Sequence, residues 1–285
     1  MSNRVAVITG GSRGIGQEIS THLATRGWKV VVIATSARNL EASQQRAREA
    51  GLEIDGRLTD VADPDQVADL FNHIDSTYGR VDLVVNNAGI GEDREQPLWE
   101  AGIDEWWRVI EVNLRGPMLM MREALPRMLA QEEGRIINIG SLRNITAIPI
   151  ETAYAASKAG LTRLTETIDV GLEGTGVRVF ELSPGRVKTD IIGPSITDAP
   201  ASTWTPIERV AEFVDVIANG ELDALSGRFL HARDDIDALK AHTDETISTN
   251  GRVLTLSKAF DGDPIKYPGA LKTKAAKAAE PSGAK

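Results

Sequence analysis

An α/β fold with a doubly wound parallel sheet is what three features of this sequence predict. Short apolar runs recur along the chain, as strands buried on both faces require. Amphipathic helical stretches alternate with them. The first run ends in a glycine-rich turn of the kind that joins such a strand to a helix. The 285 residues suffice for one large α/β domain, and 41% hydrophobic residues supply a sizeable core.

The first strand is Arg4 to Thr9, running into Gly10-Gly11-Ser12-Arg13-Gly14-Ile15-Gly16. Ile15, Ile19 and Leu23 then repeat every four residues, the mark of a helix with one apolar stripe. Gly27 ends it as a left-handed cap. Trp28 to Ala34 is the second strand. The unit has the length of a dinucleotide-binding βαβ. Its glycines, Gly10, Gly14 and Gly16, are spaced G-x-x-x-G-x-G. Glycine lets the backbone approach phosphate, and the helix N-terminus offers free N–H groups to the anion.

The end of the second strand reports on the cofactor. An acid there suits a ribose 2′-hydroxyl, a base a 2′-phosphate. Thr35-Ser36-Ala37-Arg38 has no acid before Glu41. Arg13 and Arg38, with the hydroxyls of Thr35 and Ser36, form a candidate phosphate clamp, which favours NADP over NAD. The other reading is that both arginines are merely solvated.

Asn39 to Ala50 reads as a surface helix and Leu52 to Leu58 as a weakly patterned strand. Asp63 caps the next helix, with Pro64 at its first position; Val67, Leu70, Phe71 and Ile74 are its core side, and Gly79 closes it. Val81 to Val85 is a strand that runs into Asn86-Asn87-Ala88-Gly89. Gly91 to Gly102 is a polar loop. A long helix starts near Asp104, with Trp107, Ile110, Leu114, Met118, Met121 and Leu125 on an apolar face, and Gly116-Pro117 should kink it. Met at helical spacing is core or subunit interface. Asn113, just before the kink, is either a structural hydrogen-bonder or part of a site.

Gly134 to Ser141 is the fifth strand, and ligands of open parallel sheets bind at such carboxyl ends. Tyr154 and Lys158 follow, four apart in a helix that reaches Gly171, so they share one face. An ammonium beside a phenol lowers its pKa, which makes the pair a candidate general acid/base. Tyr-x-x-x-Lys alone also arises by chance. The sixth strand, Gly176 to Leu182, ends in Ser183-Pro184-Gly185-Arg186-Val187-Lys188-Thr189.

Composition excludes several classes. The net charge of −9 argues against general nucleic-acid or anionic-membrane binding. Without cysteine there are no disulfides or thiolate metal sites, and His22, His73, His231 and His242 lack metal-ligand spacing. No apolar run approaches the ~18 residues of a membrane span. The opening residues leave no room for a signal peptide, and a cytoplasmic protein is expected.

In these motifs and their order the chain resembles the short-chain dehydrogenase/reductase family over roughly residues 4 to 230. Thr9 to Gly16 looks like the family's TGxxxGxG loop. Asp60-Val61 looks like the pair that meets adenine, and Asn86-Asn87-Ala88-Gly89 like the NNAG motif. Asn113, Ser141, Tyr154 and Lys158 fall where the catalytic tetrad falls. Pro184, Gly185, Val187 and Thr189 match the PG motif near the nicotinamide. The resemblance implies a Rossmann-type sheet of about seven strands and interconversion of a carbonyl and a secondary alcohol.

It also implies roles. Tyr154 would be general acid or base. Lys158 would hold the nicotinamide ribose and lower the tyrosine pKa. Ser141 would bind the substrate oxygen. Asn113 would hold a water that links Lys158 to solvent. The partner would be a small carbonyl or alcohol substrate, and the chain would form a homodimer or homotetramer through its long helices. An NAD-dependent alcohol dehydrogenase and a non-catalytic NADP sensor are the alternatives. A nucleotide-sugar epimerase is disfavoured by the glycine spacing.

Departures from the family pattern are confined to the C-terminal third. The lid stretch, 190 to 206, is short and has Trp204 as its one large apolar side chain. The last strand lacks the usual Asp-Gly-Gly, which weakens an assignment as a 3-oxoacyl-carrier-protein reductase. One domain, 1–256, is expected, with an extension from about residue 232 that has helical spacing at Ile236, Leu239 and Lys240. Residues 271–285 have the composition of a disordered tail.

Overall fold

Strand β1 (Val5–Thr9) is buried at every position and pairs in parallel with strands on both sides. In this computed structural model, which describes residues 3–94, 96–189 and 200–255, it is an interior strand of a seven-stranded sheet. The other strands are β2 (Lys29–Ala34), β3 (Ile54–Leu58), β4 (Leu83–Asn86), β5 (Gly134–Ile139), β6 (Val177–Ser183) and β7 (Phe229–His231). Their order is β3-β2-β1-β4-β5-β6-β7, and all pairs are parallel. The chain winds outward from β1 to β3, returns to β4, and winds the other way. The carboxyl ends of β1 and β4 therefore flank the switch point where such sheets bind ligands.

Alternate strand residues feed two cores. Ala6, Ile8, Val30, Val32, Val85, Ile137 and Phe180 face one side, where α1 (Gly14–Thr25) contributes Ile19 and Leu23. There α7 (Ile207–Ala218) adds Val210, Phe213, Val214 and Ile217. Val5, Val7, Val31, Ile33, Val84 and Ile136 face the other side. That side is covered by α3 (Pro64–Tyr78) and α5 (Gly116–Ala130), with Phe71, Ile74, Met120, Met121 and Met128 fully buried. Both cores follow from strands that are apolar on both faces.

The helix signals read from sequence place their elements well. Asp63 accepts from the backbone of Asp65 and Gln66, and Gly79 closes α3 at φ 68°. Gly27 has φ 83° after α1. α2 (Ala37–Glu49) begins two residues earlier than its sequence pattern, because Ser36 caps it by accepting from Asn39 N at 3.3 Å. α6 (Thr152–Gly171) carries Tyr154 and Lys158.

Elsewhere the structure corrects the sequence reading. The long helix is interrupted before Gly116-Pro117: α4 (Ile103–Ile110) passes into a π-helical turn over Glu111–Arg115 and then into α5. Pro117 has no N–H for the Asn113 carbonyl, and the wider turn accommodates that loss. The loop from Gly91 to Gly102 contains a short 3-10 turn, Leu98–Glu100. The apolar face divides, with Met121 buried but Trp107 and Met118 exposed. α7 was missed although Ile207, Val210, Val214 and Ile217 carry helical spacing.

β7 has three residues, and the extension after it forms α8 (Ile236–Ala241) and α9 (Thr243–Ser248). It then returns to the β7 edge: Phe229 N donates to Arg252 O at 2.9 Å, and Leu254 N to Glu166 Oε1 on α6 at 2.5 Å. Those bonds tie the extension to the sheet edge and to α6. The tail 271–285 and most of the lid stretch lie outside the described residues. Among the described residues no helix is long and apolar enough to cross a membrane.

Candidate active site

The glycine loop opens a cleft of about 650 Å³ above the ends of β1, β2 and β4. Gly10 and Gly14 have φ of 62° and 53°, a left-handed conformation that favours glycine. Gly16 is needed for space: a Cβ there would lie 2.4 Å from Gly10 O and 2.5 Å from Asn87 Nδ2. Asn87 holds the loop in return, donating from Nδ2 to the carbonyls of Thr9 (2.9 Å) and Gly10 (3.2 Å). Thr9 Oγ1 accepts from Asn87 N and Ala88 N, both at 2.9 Å. The first and fourth strands are thus stitched together at the switch point.

Most residues assigned to the cofactor from sequence line this cleft: Gly10, Ser12, Arg13, Gly14 and Ile15 from the loop, Thr35 and Ser36 after β2, and Asp60 and Val61 after β3. Asn87, Ala88 and Gly89 line it from β4, and Thr189 from the loop after β6. Gly16 is buried behind the loop. Arg38 is not in the lining; it sits exposed in the first turn of α2. Arg13, Ser36 and Asn39 line that corner of the cleft. Pro184, Gly185 and Val187 lie on the loop that carries Thr189 rather than in the lining itself.

Sequence reasoning missed Arg108 and Lys188, which also line the cleft. Arg108 Nη2 is 2.6 Å from Asp60 Oδ2, so the acid that would face adenine is already held by a base. Lys188 Nζ stands 5.7 Å from the Trp204 ring centroid, and Thr205 N donates to Arg186 O at 2.7 Å. The end of the lid stretch, at Trp204 and Thr205, therefore folds back on the PG loop. Lys188 was visible within Arg186-Val187-Lys188-Thr189. Arg108 had no signal beyond its charge.

The four tetrad candidates come together at the end of the cleft. Gly89 marks the junction: a Cβ there would be 3.3 Å from Asn113 Oδ1 and 3.9 Å from Lys158 Nζ. Asn113, fully buried in the π turn, accepts from Ile90 N at 2.9 Å and donates to Ile90 O at 2.8 Å. It also donates to Ser157 Oγ at 3.2 Å. Ser141 caps the 3-10 turn Leu142–Asn144, where its Oγ accepts from Arg143 N at 3.2 Å. The same hydroxyl acts to lower the pKa of Tyr154. Glu92 Oε1 accepts from Ala153 N (2.7 Å) and Tyr154 N (3.1 Å), which fixes the start of the tyrosine's helix.

Electrostatics departs from the simple expectation. Desolvation is the largest influence on Tyr154 and pushes its hydroxyl pKa up; the Ser141 hydrogen bond opposes it and Glu151 adds to it. The ring keeps part of its surface open, so the group is confined rather than sealed. Lys158 does not act on it directly here. Its Nζ donates to Ile139 O at 2.8 Å and stands 5.6 Å from the tyrosine ring centroid. Burial pulls Lys158 down to about 8, against a raising influence from Glu181. The lowering of the tyrosine by an adjacent ammonium is thus not a property of this arrangement, because the lysine is itself desolvated and turned to a carbonyl.

The fit to a dinucleotide is good on this geometry: a backbone cradle that leaves no room for Cβ atoms, a helix N-terminus above it, and a cleft whose Gly89 adjoins Asn113 and Lys158. The family model of the short chain dehydrogenases matches residues 4–199. A short-chain type dehydrogenase/reductase of Picea abies is 34% identical over 232 residues, covering 76% of this chain and 83% of that one. The crystal structure of a metagenomic short-chain oxidoreductase in complex with NADP superposes with a TM-score of 0.67 at 33% identity, covering 76% and 90% of the two chains. A gluconate 5-dehydrogenase from Burkholderia cenocepacia, solved with NADP and tartrate, gives 0.74 at 28% identity, covering 81% and 94%. The chain belongs to the short-chain dehydrogenase family and is an oxidoreductase acting on CH–OH groups with NAD(P).

Proposed function

We propose that this protein is an NADP(H)-dependent oxidoreductase that interconverts a small carbonyl compound and a secondary alcohol. The observation that carries the reading is the gathering of Tyr154 and Lys158, one helical turn apart on α6, beside Gly89 at the end of the glycine-cradled cleft. When bound, the nicotinamide supplies or accepts the hydride. Gly10, Gly14 and the α1 N-terminus hold its diphosphate. Arg13 and Ser36 receive the 2′-phosphate, with no acid in that corner of the cleft to repel it. Relatives of known structure carry NADP, in line with this choice.

Ser141 orients the substrate oxygen by hydrogen bonding. Tyr154 gives its hydroxyl proton to that oxygen in reduction and removes it in oxidation. Lys158 binds the ribose hydroxyls and, as an ammonium, favours the phenolate left behind. That influence requires Lys158 to leave the Ile139 carbonyl, or to be met by the ribose between the two side chains. Asn113 keeps the loop at Ile90 and the helix at Ser157 in register. A cytoplasmic homodimer or homotetramer is part of the proposal. The exposed Trp107 and Met118, on the helices the family pairs, support it.

The test is turnover of a panel of ketones and aldehydes with NADPH, by the wild type and by Tyr154→Phe. The proposal requires NADPH oxidation that the variant loses by at least about a hundredfold. Oxidation of alcohols with NAD alone would replace it with the alcohol dehydrogenase reading.

A further inference from the structure

The first turn of α6 carries Tyr154 but has no cap of its own. A helix leaves its first N–H groups without partners inside the helix, and a side chain just before it ordinarily accepts from them. Glu151 precedes α6 and makes no such bond, and no acidic residue stands in the first turn. The Glu151 carboxylate is taken instead by Arg143, whose Nε lies 2.5 Å from Oε2. Tyr154 is the third residue of the helix, so its amide is among those left over.

The missing acceptor comes from elsewhere in the chain. Glu92, half-buried on the loop after β4, turns Oε1 to both Ala153 N (2.7 Å) and Tyr154 N (3.1 Å). Its backbone is held on both sides. Before it, Asn113 accepts from Ile90 N and donates to Ile90 O. After it, Asp93 N donates to Glu105 Oε1 of α4 at 2.7 Å. From the same helix, Trp106 Nε1 donates to Thr152 Oγ1 at 3.1 Å. Thr152, Ala153 and Tyr154 are thus all held by groups from this loop and α4.

The carbonyl of Tyr154 leads back to the same loop. Ser157 Oγ donates to Tyr154 O at 2.7 Å, and Asn113 Nδ2 donates to Ser157 Oγ at 3.2 Å. A circuit therefore runs from Ile90 through Asn113 and Ser157 to the tyrosine carbonyl, and from the tyrosine amide through Glu92 back to the loop. Gly89 and Ile90, at its start, line the cofactor cleft. Lys158, one turn on, does not depend on Glu92. Its amide lies within the helix ladder, and its Nζ donates to Ile139 O at 2.8 Å.

We propose that Glu92 is a positioning residue for Tyr154: its carboxylate supplies the cap that α6 lacks and fixes where the tyrosine hydroxyl stands relative to the cofactor. Glu92 lies outside the cleft lining, so it acts through the tyrosine backbone. A displacement of about 1 Å at a reacting group costs on the order of a hundredfold in rate, which a tilt of this first turn would produce. The catalytic consequence rests on the functional reading above; the cap itself does not.

The cap is read without turnover. Hydrogen exchange of the Ala153 and Tyr154 amides, followed by NMR in the full-length protein, quickens at least about tenfold in Glu92→Ala, while the Lys158 amide keeps its rate. Two further variants separate reach from charge. Glu92→Gln keeps an acceptor oxygen at the same reach without the charge; Glu92→Asp keeps the charge but is one methylene shorter. With NADPH and a carbonyl substrate, kcat falls about ten- to a hundredfold in Glu92→Ala and at least about fivefold in Glu92→Asp. It stays within about threefold of wild type in Glu92→Gln, and KM and NADPH affinity stay within about threefold in all three. The comparison of Gln with Asp decides the matter if Glu92→Ala fails to fold.

Unchanged exchange at both amides in Glu92→Ala and Glu92→Asp overturns the proposal. Faster exchange with kcat intact is the mark of an ordinary structural cap and overturns it too. So does a Glu92→Gln as slow as Glu92→Asp, which would make charge the agent, or a loss that falls on KM or NADPH affinity alone. If the wild type reduces no carbonyl with NADPH while the exchange still quickens, the functional reading fails and the cap stands.

Discussion

Asn113 holds both backbone groups of Ile90, accepting from its N–H at 2.9 Å and donating to its C=O at 2.8 Å. One side chain in the π turn therefore locks the loop that follows β4 against the helix that carries Tyr154. Asn113→Ala leaves two part-buried backbone groups unmet and should destabilise the fold by about 1–3 kcal/mol. Asn113→Asp keeps the acceptor and loses the donor, so it should fall between wild type and Ala. Urea denaturation of the three proteins checks the order; an Ala variant as stable as wild type contradicts it.

Gly16 faces Gly10 O and Asn87 Nδ2 at distances that no Cβ can meet. Gly16→Ala should therefore spread the glycine loop, at a cost of about 1–3 kcal/mol. It should also abolish dinucleotide binding by fluorescence titration. Gly27→Ala, with nothing near its Cβ but a φ of 83°, should cost stability and leave binding intact.

Arg13 lines the cleft beside Ser36, and Arg38 does not. Arg13→Ala should weaken NADPH binding by roughly ten- to a hundredfold and leave NADH binding nearly unchanged. Arg38→Ala should leave both unchanged within roughly twofold. Paired titrations with the two cofactors decide this. Equal losses for NADPH and NADH in Arg13→Ala would place the 2′-phosphate elsewhere.

Glu181 titrates near 7 in the folded protein, above its ordinary value of 4.5. Its raised folded pKa means that the native state binds the proton more tightly than the unfolded chain. The associated stability is complete below the unfolded value and is lost as pH rises through about 7. Glu181→Gln removes that loss. Its stability relative to wild type should therefore improve from pH 5 to pH 8 by about 1–3 kcal/mol. Denaturant titrations at the two pH values test the sign; a relative stability that falls over this range contradicts it.

Much of the fold was legible because buried parallel strands are apolar throughout and their helices carry caps. Asp63-Pro64, Gly27 and Gly79 each marked an end that the structure keeps. The tetrad's spacing was legible, since Tyr154 and Lys158 share a helix and Ser141 follows a strand, two residues past its end at Ile139. The interruption at Asn113 was read one step late: Pro117 signals a missing donor, but where the ladder loosens depends on the carbonyl four residues before it. Arg38 lies exposed in the first turn of α2, which the Ser36 cap starts two residues early. Arg108 was invisible, since it finds its partner, Asp60, far away in sequence.

The proposed chemistry stands or falls on Tyr154 and the cofactor together. Consumption of NADPH and of NADH should be followed with a ketone and aldehyde panel, in wild type and in Tyr154→Phe, with each cofactor's affinity measured alongside. Carbonyl reduction with NADPH by the wild type, lost in a variant that still binds NADPH, is the predicted result. Equal turnover by Tyr154→Phe, or a wild type that binds neither cofactor, would contradict it.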